Sequence, residues 1–188
     1  MDDVTQQLSD ERLIAATLTG NDEAFARLVA RHKGRIFRLA SRFARDNDDL
    51  EDICQEVFIK AYENLGKFRG QEAPFEHWVT KIAVHAGYDA LRRNRHGKRH
   101  QTLDDMPFEL KDDAEAARSD ARQARQLLHQ AMTFLSPDER LVITLMELEE
   151  MTLRETSQLT GWSEANVKVR AFRARQALRK ILEKHDAK

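Results

Sequence analysis

Thiols are nearly absent from this chain. Cys54 is the one cysteine among 188 residues, so no disulfide can close within the chain and no zinc site can rest on thiolates. That suits a reducing compartment. Glycine (7) and proline (3) are scarce as well, which suits long helices more than sheets of short strands. No apolar run approaches the ~20 residues of a membrane-spanning helix. The opening stretch, MDDVTQQLSDE, is acidic and polar, unlike a signal or transit peptide. Net charge is missing too: the formal sum is -1, so bulk charge names no partner. These absences lead to the expectation of an all-α, cytoplasmic protein with no direct membrane insertion.

What the chain does have is charge sorted into blocks. Arg92–Arg99 and Lys168–Lys180 hold no acid, whereas Asp46–Glu56 and Asp104–Asp120 are strongly acidic. A near-neutral sum built from opposed blocks points to two partners, one polyanionic and one basic.

Helix boundaries recur along the chain. Ser9 suits the cap of a short first helix that stops at Gly20. Asn21 starts a second, with Phe25, Leu28, Val29, Ile36, Leu39 and Phe43 at helical spacing. Asp48 and Asp49 start a third, with Leu50, Ile53, Val57, Ala61 and Leu65 inside. Gly66 and Gly70 bracket a loop, and Pro74 suits the first turn of a fourth helix that runs to about Arg93. Residues 96–119 hold Gly97 and Pro107, lack a sustained apolar period and pass from basic to acidic, the composition of a flexible linker. Beyond it, Ser136–Glu139 (SPDE) and Thr152–Glu155 (TLRE) are capping boxes. The expected architecture is therefore two small helical domains, 1–95 and 120–188, joined by a linker at 96–119.

The segment Leu153–Thr160, the turn Gly161-Trp162-Ser163 and a longer helix after it have the arrangement of a helix-turn-helix, whose second helix enters the DNA major groove. Val167, Ala171, Ala174, Leu178 and Ile181 form its core stripe. Lys168, Val169, Phe172, Arg173, Gln176 and Arg179 share the other side. Cations there would meet phosphates, and Phe172 a sugar or a thymine methyl. The plainer alternative is a solvated basic helix end.

On the third helix, Asp52, Gln55, Glu56, Ile59 and Glu63 oppose the core stripe. An isoleucine ringed by carboxylates resembles a docking surface. A solvated acidic face and an Mg²⁺ site on Asp48, Asp52 and Glu56, as in an all-helical phosphohydrolase, are the alternatives. The fourth helix carries Lys81, His85, Tyr88, Arg92 and Arg95 along one ridge, and the loop before it adds Phe68, Arg69 and His77. Cations mixed with aromatic rings suit unstacked nucleic acid. His77 and His85 stand two turns apart, too far to share a metal ion. Gly87 inside this helix implies close packing, and Asp89 is expected beside the core stripe, holding an arginine.

Taken together, these motifs resemble the extracytoplasmic-function sigma factors of bacterial RNA polymerase. DLEDICQEVFIKAYENLGKF resembles the family's polymerase-binding helix, FEHWVTKIAVHAGYDALRR its helix for the minus-ten element, and the stretch from Leu135 to Lys180, with Arg173-Ala174-Arg175, its minus-thirty-five reader. The resemblance implies no catalysis, no cofactor and no metal. It implies core RNA polymerase and promoter DNA as partners, with an anti-sigma factor to hold the chain inactive. Asp49, Asp52, Gln55, Glu56, Ile59 and Glu63 would bind the polymerase. Phe68, Arg69, His77, Lys81, His85, Tyr88, Arg92 and Arg93 would meet the melted minus-ten strand. Arg154, Ser163, Asn166, Lys168, Val169, Arg170, Phe172 and Arg173 would meet the minus-thirty-five element. Two departures stand out: His85 where the family usually has asparagine, and Thr156-Ser157 in place of Ile-Ala, which implies looser packing. A stand-alone helix-turn-helix regulator is the rival reading.

Overall fold

The structure, a computed structural model, describes residues 8–70, 73–95 and 117–186. Every regular element among them is helical, as the scarcity of glycine and proline predicts. They fall into two compact units, Met1–Ala44 with Asp48–Ala90, and Arg45–Asn47 with Leu91–Lys188. Residues 96–116 of the expected linker lie outside the described residues, and helix has begun again by Ala117. No helix among the described residues is long and apolar enough to cross a membrane.

In the first unit, α1 (Asp10–Leu18) buries Leu13 and Ile14. Ser9 stands at its N-cap with extended backbone but makes no cap bond. Its hydroxyl donates to the Glu11 carboxylate, which lowers that group's pKa. The acids of the first turn favour the helix start without it. Gly20 turns the chain at φ +95, a conformation that favours glycine. Asn21 then caps α2 (Asp22–Ala40), its side chain accepting the Ala24 N–H at 3.1 Å. Every fourth residue from Ala24 to Ile36 is buried, His32 included. The Asp10 carboxylate ties α1 to α2 by accepting from Arg31 at 2.5 Å and pairing with His32 Nε2 at 2.9 Å.

Helix α3 (Asn47–Asn64) buries Leu50, Ile53, Val57 and Ala61, the predicted stripe. A 3-10 turn at Leu65–Lys67 closes it. Pro74 lies just before α4 (Phe75–Arg95) rather than in its first turn. Its carbonyl accepts the N–H groups of His77 and Trp78 at 3.0 and 3.2 Å. Proline there has no N–H to lose, and its carbonyl starts the hydrogen-bond ladder. Phe75, Val79, Ala83, Ala86 and Ala90 are buried along α4.

In the second unit, α5 (Ala117–Thr133) leads to α6 (Pro137–Ile143), a five-residue π turn at Thr144–Leu148, α7 (Leu153–Thr160) and α8 (Glu164–Asp186). Both expected capping boxes are present, Ser136 with Glu139 and Thr152 with Glu155. Met132, Leu135, Ile143 and Ala174 form a buried cluster, with Leu128, Leu148, Leu178 and Ile181 packed against it. Nothing in the local pattern announced the π turn. The Glu149 N–H reaches back to Thr144 at 2.9 Å, and Glu150 then takes φ +53 to leave it.

Candidate polymerase and promoter interfaces

The acidic face of α3 follows from its amphipathic register. With Ile53 and Val57 turned inward, Asp52, Gln55 and Glu63 are exposed, and Ile59 is 49% exposed among them. Asp49 and Glu56 are half-buried, and the Glu56 carboxylate accepts from Lys60 Nζ at 2.6 Å. The chemistry on offer is an apolar side chain inside a ring of anionic acceptors, which fits a basic surface with an apolar dimple. Cys54, half-buried at the edge, has its thiol pushed up to about 11 by burial and by Glu51. It is therefore a poor nucleophile at neutral pH. Among the described residues no three His, Cys, Asp or Glu side chains converge as metal ligands.

On α4, Lys81, His85, Arg92 and Arg93 are exposed and Tyr88 is half-buried. His77 is exposed at the helix start. Phe68 is half-buried because its ring packs on Phe75 at 5.7 Å and Trp78 at 5.4 Å. Arg69 folds back to donate to the carbonyls of Gly66 and Phe68. Gln71 and Glu72 of this loop lie outside the described residues. Asp89 corrects an expectation: it is exposed, not beside the core, because its neighbours Ala86 and Ala90 take the buried positions.

The helix-turn-helix is built by local rules. Gly161 ends α7 at φ +73, the left-handed cap that favours glycine. The Ser163 hydroxyl caps α8 by accepting the Asn166 N–H at 3.3 Å. Val167, Ala171 and Ala174 turn inward. That leaves Asn166, Lys168, Arg173 and Gln176 exposed, with Val169 49% and Phe172 58% exposed between them. Arg154 is exposed on α7. Lys168 and Arg173 have no ion-pair partner among the described residues, whereas Arg175 pairs with Glu147 at 2.6 Å and Arg179 with Glu183 at 2.7 Å. Arg170 differs from the rest of the predicted reader. It is half-buried, bonded to Asn166 and Asp138, and lies over the Trp162 ring.

Three features escaped the sequence reading. Between Glu23 and Asp46 the chain has no acid while Arg27, Arg31, Lys33, Arg35, Arg38, Arg42 and Arg45 recur. A charge scan would have found this block. Within the block, Arg27 pairs with Glu23 at 3.0 Å, Arg31 with Asp10 and Arg35 with Glu76 at 2.9 Å. Arg140 is buried at 3% exposure, and a cleft of about 410 Å³ opens between Leu128, Ile143, Leu148 and Leu178, edged by the Glu147–Arg175 and Arg179–Glu183 pairs. Both depend on tertiary packing and leave no local signal.

With this geometry in view, comparison with known proteins is specific. Sigma-70 region 2 matches residues 28–97 and Sigma-70 region 4 matches residues 125–178. The chain is 32% identical over 185 residues to the RNA polymerase sigma-H factor of Pseudomonas aeruginosa, across 94% of this chain and 95% of that one. It is 30% identical over 183 residues to the ECF RNA polymerase sigma-E factor of Escherichia coli, across 93% and 95%. Among solved structures, CnrH in complex with the cytosolic domain of CnrY has a TM-score of 0.60 at 26% identity, covering 93% of this chain and 97% of that one. The sigma factor RpoE with the anti-sigma factor NepR from Bartonella quintana shares the fold, with a TM-score of 0.61 at 20% identity over 85% and 96%.

The two helical units thus correspond to the region 2 and region 4 modules of a transcription initiation factor. The chain belongs to the ECF sigma factors of RNA polymerase.

Proposed function

We propose that this sigma factor joins core RNA polymerase through the exposed acidic face of α3 and carries it to promoters whose two elements are held by separate units. Residues 1–95 take the core and the minus-ten element, 96–119 tether, and 120–188 take the minus-thirty-five element. Lys81, His85, Tyr88 and Arg92, with the loop from Phe68, hold the melted strand by stacking and phosphate contacts. Lys168, Val169, Phe172 and Arg173 meet the upstream duplex. The factor acts in the cytoplasm, performs no catalysis of its own, and is restrained by an anti-sigma protein; the structural neighbour RpoE of Bartonella quintana is itself in complex with the anti-sigma factor NepR.

The observation that carries this reading is the outward placement of opposite chemistry on two units: Ile59 amid carboxylates on one, Phe172 amid cations on the other. The test is transcription by purified core polymerase, with and without the protein, on genomic fragments. New start sites that appear only with the protein are expected. Tight promoter binding by the protein alone, with no co-elution with core, would replace this reading by a stand-alone regulator.

A further inference from the structure

Arg170 sits in the middle of the reader's sequence, yet its guanidinium is already engaged on three sides. Its Nε–H donates to Asn166 Oδ1 at 2.8 Å, one turn earlier on α8. Its Nη1 donates to Asp138 on α6. Its plane lies over the Trp162 ring, 4.2 Å from the centroid. Two of these partners stand on well-anchored backbone. Asp138 lies in the first turn of α6, inside the Ser136–Glu139 capping box. In the turn, the Trp162 backbone carbonyl accepts from the Ser157 hydroxyl at 2.6 Å and its backbone N–H donates to Thr160 Oγ1 at 3.3 Å. Arginine's donors point in a rigid fork, so engaging three partners at once leaves the side chain little freedom to swing towards a phosphate.

We propose that Arg170 is a positioning residue rather than a DNA contact: it braces α8 against α6 and the turn, and orients Asn166 for reading. This rests on the promoter-binding function proposed above. The orientation of Asn166 follows from valence. Arginine has no acceptor, so the amide oxygen must face it, and the amide N–H₂ is the end left for a partner. In the major groove that group suits an acceptor, such as guanine N7 or O6 or thymine O4. Lys168 and Arg173, without such bonds, are the cations left for phosphates.

The experiment measures holoenzyme binding to a promoter as a function of salt, for wild type, Arg170→Ala, Asp138→Asn and Arg173→Ala. Removing one phosphate contact lowers the log–log salt slope by about 0.9, and Arg173→Ala is expected to do so. Arg170→Ala is expected to weaken binding roughly three- to tenfold, from its lost ion pair and ring contact, with the slope unchanged. Asp138→Asn, which keeps every cation in place, is expected to weaken binding in the same direction, about two- to fivefold. A slope that falls with Arg170→Ala, no loss of binding in either variant, or tighter binding by Asp138→Asn through release of the arginine would overturn the proposal. Should Arg170→Ala fail to fold, the near-isosteric Asp138→Asn decides alone. Failure of the wild type to direct any promoter-specific transcription would instead bring down the function itself, and this inference with it.

Discussion

The Phe43 ring occupies the space where residue 87 has no side chain. A Cβ placed on Gly87 would lie 2.4 Å from Phe43 Cδ2 and 2.6 Å from Cγ, and Phe43 is wholly buried. Alanine at a helix interior ordinarily gains about 1 kcal/mol over glycine. Here the clash outweighs that gain, because overpacking costs about 1–3 kcal/mol or more. Gly87→Ala is expected to lower stability in urea unfolding, and Phe43→Leu in the same chain to recover part of the loss. A more stable Gly87→Ala protein would contradict the packing argument.

Thr156 presents the opposite case. It is fully buried, and its hydroxyl has no hydrogen-bond partner among the described residues. Valine fills nearly the same volume without an unsatisfied polar atom. Thr156→Val is expected to stabilise the protein by about 1 kcal/mol, read as a raised urea midpoint at constant m-value.

Ile59 tests the polymerase face. Because its side chain is half in solvent, Ile59→Ala is expected to leave thermal stability nearly unchanged. It should raise the Kd for core polymerase about five- to tenfold, the loss of a modest anchor. Glu56→Lys should act in the same direction by placing a second cation beside Lys60. Equal retention of both variants on immobilised core would remove α3 from the interface.

His129 makes stability depend on pH. Burial, with the nearby Arg140 charge adding to it, pushes its pKa down from 6.5 to about 4. Between those values the unfolded chain takes up a proton that the folded chain refuses, so stability rises with pH. The full contribution is present above about 6.5 and is lost as the pH falls towards 4, by up to roughly 3 kcal/mol. His129→Gln should flatten this part of the stability profile. An unaltered slope between pH 6.5 and 4 in urea unfolding would assign the dependence to other groups.

How legible the chain was depends on the range of the interaction. Both capping boxes, the Gly161 turn and the core stripes of α3 and α8 are set by neighbours within one or two turns, and all stood in the residue order. Gly87 was legible as a cost that needed a cause, though Phe43 could not be named as that cause. Ser9 had the backbone of a cap, but its hydroxyl oxygen accepts no N–H from the first turn, a matter of side-chain rotamer that spacing alone does not fix. Asp89 was misjudged because one step along a helix turns a side chain by a large angle. The partners of Arg170 and the burial of Arg140 depend on how α6, the turn and α8 come together. The order of residues therefore announced a row of cations without saying which of them the fold would claim.

The two tryptophans of the chain fall one to each unit. Trp78 packs at a tilt against Phe68 and Phe75 beside the loop ahead of α4, and Trp162 lies beneath Arg170 in the turn ahead of α8. Each module thus carries a built-in fluorophore beside the surface proposed to meet DNA. Replacing either indole by phenylalanine leaves a single emitter, so quenching or a spectral shift on mixing would report which end has engaged, with no dye attached.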